Sequence, residues 1–183
     1  MPALIAYLIL LFALLFFLIF MTIYTLFLIY SSIKGAPYVP TRKKVIEEIL
    51  ALAKIKKNKV FVELGSGDGR VVRRAVQKYG VEGLGIDVNP LLIIWGKILA
   101  KVEGTGEKID FQVKNIFDAD LKRGDYIYLF LMPSLIEKLT EKMNIELKHG
   151  AVVIAHGFPV KSWEKKLFYT LKRSPFPTYY YRI

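Results

Sequence analysis

The sequence predicts an α/β fold with a mostly parallel seven-stranded sheet, carried behind one N-terminal transmembrane helix. Three observations predict it. Residues 1–33 contain no Asp, Glu, Lys or Arg. Beyond them, short apolar runs alternate with segments whose apolar residues recur at helical spacing, as expected of a parallel sheet covered on both faces. A turn with glycines at 65, 67 and 69 then follows the first of those runs, where an open α/β sheet builds its ligand crevice.

Residues 3–30 are almost entirely Leu, Ile, Phe and Ala. At about 1.5 Å per residue such a helix is roughly 40 Å long, enough to cross a hydrocarbon core of about 30 Å. A cleaved signal peptide would have a basic start, a shorter apolar run and a small-residue cleavage site, and a buried core helix would be shorter. The segment 1–33 therefore reads as an uncleaved anchor in the lipid bilayer. Lys34, Arg42, Lys43 and Lys44 follow it closely, so the positive-inside rule places the C-terminal part in the cytoplasm. Lys54, Lys56, Lys57 and Lys59 either meet anionic headgroups or form a solvated basic face.

Residues 34–41, with Gly35, Pro37 and Pro40, suit an extended linker, because proline restricts the residue before it. The remaining 42–183 read as one domain. Arg42 to Ala53 is an amphipathic helix, and Val60 to Leu64 a buried strand running into the glycine turn. Arg70 to Tyr79 is a helix stopped by Gly80. Gly83 to Val88 is the second strand, Pro90 to Val102 a helix capped by Asn89, and Ile109 to Val113 the third strand. Asp125 to Leu131 is the fourth strand, Ser134 to Met143 a helix, and Ala151 to Ala155 the fifth strand. Lys166 to Leu171 and Thr178 to Arg182 form a closing antiparallel pair, in which alternation along the strand sends one or two of Tyr179, Tyr180 and Tyr181 into the core.

Composition narrows the chemistry. All 27 Lys and Arg and all 16 Asp and Glu lie in residues 34–183, a net +11. The chain has no Cys and only two His, which excludes a thiolate nucleophile and a Cys-ligated metal and argues against a catalytic transition metal at His149 or His156. The turn Glu63-Leu64-Gly65-Ser66-Gly67-Asp68-Gly69-Arg70 lacks the third glycine of a dinucleotide fingerprint and the Lys-Ser/Thr of a phosphate loop. It carries acids instead, Glu63 and Asp68, which favour a ligand bearing positive charge. A sulfonium with an α-amino group meets that requirement. Asp87, ending the second strand about twenty residues on, is placed to accept ribose hydroxyls; the competing reading makes it a simple turn or capping residue.

The segments Val62 to Gly69 and Gly85-Ile86-Asp87 resemble the first motif and the following acidic motif of class I S-adenosylmethionine (SAM)-dependent methyltransferases, which have a Rossmann-like domain. Ala36 to Thr41, Asp87-Val88-Asn89-Pro90 and Tyr128 to Ser134 narrow the resemblance to the FAM173-type membrane-anchored protein lysine methyltransferases, relatives of archaeal lysine methyltransferases. The resemblance implies SAM as cofactor, with Glu63 beside its methionine amine, Gly65, Ser66, Gly67 and Gly69 beneath it, and Asp87 on its ribose. Where the superfamily often has an acid near the adenine amine, this chain has Asn115, whose amide can still accept a hydrogen bond. Ile116 would pack on the adenine or belong to the core.

Methyl transfer from a sulfonium is an in-line displacement that gains rate chiefly from orientation. A lysine nucleophile must arrive neutral, and a dry aromatic channel beside a positive charge lowers its pKa. Tyr38, Tyr128 and Phe130 are the candidate walls, with His156 a less favoured proton acceptor. The expected activity is methylation of a lysine on a membrane-associated protein. A lipid or small-molecule methyltransferase, a nucleic-acid methyltransferase and a SAM-binding module without turnover are the alternatives. Nucleic acid is disfavoured because no Asn-Pro-Pro-Tyr type motif follows the fourth strand.

Overall fold

The computed structural model describes residues 2–34 and 40–183. It divides into two units, Met1–Pro37 and Tyr38–Ile183. The first holds α1 (Pro2–Lys34), which ends one residue beyond the anchor read from sequence. Its stretch Pro2–Leu26 is long and apolar enough to cross a membrane. Thr22 and Thr25 each donate their hydroxyl to the carbonyl four residues earlier, at 2.8 Å, so these polar groups are satisfied within the helix, as a lipid environment requires.

The second unit opens with α2 (Lys43–Leu52) and alternates β1 (Val60–Leu64), α3 (Arg70–Tyr79), β2 (Glu82–Asp87), α4 (Pro90–Val102) and β3 (Ile109–Val113). Then come β4 (Tyr126–Leu129), α5 (Pro133–Glu146), β5 (Val152–His156), β6 (Leu167–Leu171) and β7 (Thr178–Arg182). One sheet has the order β3-β2-β1-β4-β5-β7-β6. The first five strands are parallel and β7 runs antiparallel to both β5 and β6, so the seven-stranded, mostly parallel expectation holds. The winding reverses between β1 and β4, which makes the carboxyl end of β1 the switch-point crevice.

Alternation along the strands sends Phe61, Phe111, Tyr126, Tyr128, Ile154 and Tyr180 into one core with Ile46, Ile49 and Leu50 of α2 and Val71, Val72, Ala75 and Val76 of α3. Tyr180 and Tyr181 are both buried, Tyr179 half-buried.

Several boundaries move for physical reasons. The fourth strand is shorter than read at both ends, and the Asp125 carboxylate just before it accepts from the Val60 N–H at 2.9 Å and pairs with Lys148 at 2.8 Å. α5 runs on to Glu146, whose carboxylate holds Lys142 and the Leu121 N–H. The fifth strand includes His156, since β7 offers it Thr178 as partner. Lys54 to Lys59 lie before β1, at the sheet end opposite the crevice, and Lys59 pairs with Asp125 at 3.4 Å.

Candidate active site

β1 delivers its chain into the glycine turn at the switch point. The N–H groups of Gly65 and Ser66 both donate to the Ile86 carbonyl at 2.9 Å, and Gly69 N–H closes the turn on Ser66 O at 2.8 Å. All three glycines take positive φ, 71°, 55° and 69° at Gly65, Gly67 and Gly69, as the spacing predicted. Gly69 is doubly constrained: it precedes α3 in the left-handed region, and a Cβ there would stand 2.3 Å from the buried Phe111 ring.

Two carboxylates meet this turn. Glu63, on β1, is 4% exposed. One of its oxygens accepts from the Val72 N–H at 2.8 Å, in the first turn of α3. Burial pushes the Glu63 carboxyl well above its ordinary range, helped by the charges of Asp68 and Asp87 and opposed by the Val72 N–H and Arg73. Asp87 ends β2, and its two oxygens accept from Gly67 N–H at 2.7 Å and Asn89 N–H at 2.8 Å. Burial raises it as well, against the Asn89, Gly67 and Val88 N–H groups. Asp87 is thus a turn residue, and each of its oxygens keeps acceptor capacity for a ligand hydroxyl. Asn89 caps α4 through Leu92 N–H at 3.0 Å, as read from sequence.

Asp68 corrects the sequence reading. Its carboxylate does not face the crevice: Arg70 holds it at 2.9 Å and Arg73 at 3.8 Å, with the side chain 6% exposed. Its carboxylate is committed to ion pairs within the scaffold, although its charge still acts on Glu63.

A buried polar atom without a protein partner keeps capacity for a ligand or a water. Among the described residues, Ser66 Oγ, Asn89 Nδ2 and the Tyr128 hydroxyl are three such atoms. They follow or end β1, β2 and β4, around the crevice. Two carboxylates for an amine and a pair of hydroxyls, with orphaned donors beside them, fit the amino-acid and ribose portions of SAM. At the end of β3, Asn115 is exposed and its Oδ1 accepts from Phe117 N–H at 3.1 Å, while Ile116 is 7% exposed. Contact with an adenine would draw on the remaining capacity of that amide.

Beside Glu63 lies an aromatic cluster. Tyr128 is the register partner of Glu63 and is 2% exposed. Burial and then the Glu63 charge raise its phenol; the nearby Thr41 hydroxyl offsets part of this without reaching hydrogen-bond geometry. The Phe130 ring packs edge-on against His156, centroids 4.6 Å apart, and against Phe176 at 5.1 Å. Tyr128 stacks on His156 at 6.4 Å. His156 Nδ1 lies 2.8 Å from Thr178 Oγ1. Burial, and then the Arg173 charge, push its pKa down to about 4. Such a lowered basicity counts against the reading of His156 as proton acceptor. Phe176 was missed in the sequence; its signal was an aromatic held between Pro175 and Pro177. Tyr38 lies outside the described residues.

A family description for the ANTKMT methyltransferase domain matches residues 63–167. A protein-lysine N-methyltransferase of Saccharolobus islandicus (strain REY15A) is 31% identical over 139 residues, 74% of this chain and 85% of that protein. The adenine nucleotide translocase lysine N-methyltransferase of Mus musculus is 31% identical over 128 residues, 70% of this chain; that alignment spans only 56% of the mouse protein. Among solved structures, an RNA methyltransferase from Salinibacter ruber in complex with S-adenosyl-L-homocysteine superposes with a TM-score of 0.76 and 32% identity, over 79% of this chain and 94% of that one.

Proposed function

The chain belongs to the ANTKMT methyltransferase-domain family of SAM-dependent methyltransferases, and from that premise we propose that it methylates the side-chain amine of a lysine in a membrane-associated protein. One observation carries the reading: Glu63 is in register with Tyr128 of an aromatic cluster, and Asp87 on the adjacent strand is joined to the same glycine turn at the switch point. Relatives whose names specify protein lysine, and lysine of the adenine nucleotide translocase, support the substrate class.

SAM, when bound, supplies an electrophilic methyl on a cationic sulfur. The residues do the rest. Glu63 pairs with the methionine amine, whose positive charge offsets the burial cost of the carboxylate. Asp87 accepts the ribose hydroxyls, and Ser66, Asn89, Asn115 and Ile116 complete the nucleoside side. Tyr128, Phe130, His156 and Phe176 wall the approach of the lysine, and Tyr38 is a further candidate wall residue. They would exclude water, so that the lysine would lose its proton to bulk solvent on entry and present a neutral amine to the methyl that SAM would supply.

Residues 1–33 form the anchor, 34–41 the linker and 42–183 the catalytic domain in this reading, with that domain on the cytoplasmic side by the positive-inside rule. Tethering raises the effective concentration of targets at the membrane surface. The test is incubation of the full chain with methyl-labelled SAM and membranes, then separation into protein, lipid and nucleic-acid fractions. Label is expected on protein lysine. The Salinibacter relative's name and the net charge of +11 favour RNA as a second reading; label confined to RNA or to lipid would overturn the first.

A further inference from the structure

α4 has two apolar faces and the sheet uses only one. Ile93, Gly96 and Ala100 are buried. Leu91, Ile94, Trp95, Ile98 and Val102 are 50%, 53%, 52%, 48% and 80% exposed. At 3.6 residues per turn these five project within an arc of about 100°, opposite the buried face. Scattered surface hydrophobes are ordinary, but a contiguous stripe of this kind marks an interaction site.

We propose that this stripe seats the catalytic domain on a lipid bilayer, with α4 lying in the headgroup region. The inference rests on the reading that α1 is membrane-embedded. The charge pattern of the helix favours lipid as the occupant. The charged side chains of α4 are Lys97 and Lys101, both exposed and both bordering one side of the stripe, and the helix has no acid. That is the pattern of an interfacial helix on an anionic surface, with tryptophan at headgroup depth.

The chain has two tryptophans, neither in α1; Trp95 is half exposed and Trp163 is buried at 2%. The full chain would be reconstituted into phosphatidylcholine vesicles containing a minority of phosphatidylglycerol, with lipids brominated near the headgroup as tryptophan quenchers. Quenching and a blue shift of Trp95 emission are expected, both lost in Trp95→Phe. Ile94→Glu combined with Ile98→Glu is expected to lose the quenching while the chain still floats with the vesicles and still binds S-adenosylhomocysteine. A chain that floats but leaves Trp95 unquenched overturns this inference alone. A concentration-dependent blue shift without quenching does the same and assigns the stripe to a second copy or another protein. A chain that does not float overturns both this inference and the anchoring of α1, while lysine methylation is scored separately by the labelled-fraction assay.

Discussion

Glu63→Gln is expected to move cofactor affinity and stability in opposite directions. Gln keeps an acceptor oxygen for the Val72 N–H, 2.8 Å away in the native chain, so the first turn of α3 keeps its partner. What it removes is a negative charge that is 4% exposed. Burying an ammonium beside a neutral amide instead of a carboxylate leaves the ligand's charge unpaired, a loss of about 3–5 kcal/mol. At about 1.4 kcal/mol per tenfold, the Kd for S-adenosylhomocysteine rises by roughly two to four orders of magnitude. Stability without ligand goes the other way. Because burial raises the folded-state pKa of Glu63, the folded state holds its proton more tightly than the unfolded chain. Stability is therefore lost as pH rises from the unfolded value through the folded one. Gln has no proton to lose, so its Tm should match wild type in acid and exceed it increasingly toward neutral pH, apart from a loss of about 1 kcal/mol for the weaker neutral hydrogen bond. Titration calorimetry gives the affinity and thermal scans from about pH 4 to 8 the stability. Unchanged affinity, or a Tm difference that shrinks with rising pH, would refute the reasoning.

Asp87→Ala should weaken both binding and folding, because the carboxylate also holds the Gly67 and Asn89 N–H groups at 2.7 and 2.8 Å; about 1–3 kcal/mol per orphaned donor should appear as a lowered denaturant midpoint, and a variant as stable as wild type contradicts this. Gly69→Ala combines a φ of +69° with a Cβ placed 2.3 Å from Phe111, so denaturation should report a loss of about 2–6 kcal/mol. His156, pushed down to about 4, should show no imidazole titration by NMR between about pH 5.5 and 8. Its depressed pKa also means a stability contribution that is full above about 6.5 and lost as pH falls toward 4, which His156→Phe should abolish in acid scans.

Periodicity made the backbone legible. Ends such as Arg70–Tyr79 and Pro90–Val102 emerged from glycine and proline punctuation alone, and Glu63 and Asp87 stood out because strand ends in an open sheet face the crevice. Asp68 was misread because the direction of a loop side chain depends on its neighbours, here Arg70 and Arg73 on the following helix. Spacing carries no such information. Phe176 joined Phe130 across 46 positions by way of the β7 return, a tertiary contact invisible to local pattern. His156 was placed past the fifth strand because a strand's end is set by its partner, in this case Thr178. The outward stripe on α4 was hidden because an apolar helix reads as core when its opposite faces cannot be told apart.

The most direct measurement is a structure of the full chain with S-adenosylhomocysteine bound. The amine should lie within hydrogen-bond reach of Glu63 and both ribose hydroxyls on Asp87, with the sulfur directed toward Tyr128 and Phe130. A ligand seated elsewhere, or a Glu63 that still touches only Val72, would contradict this placement.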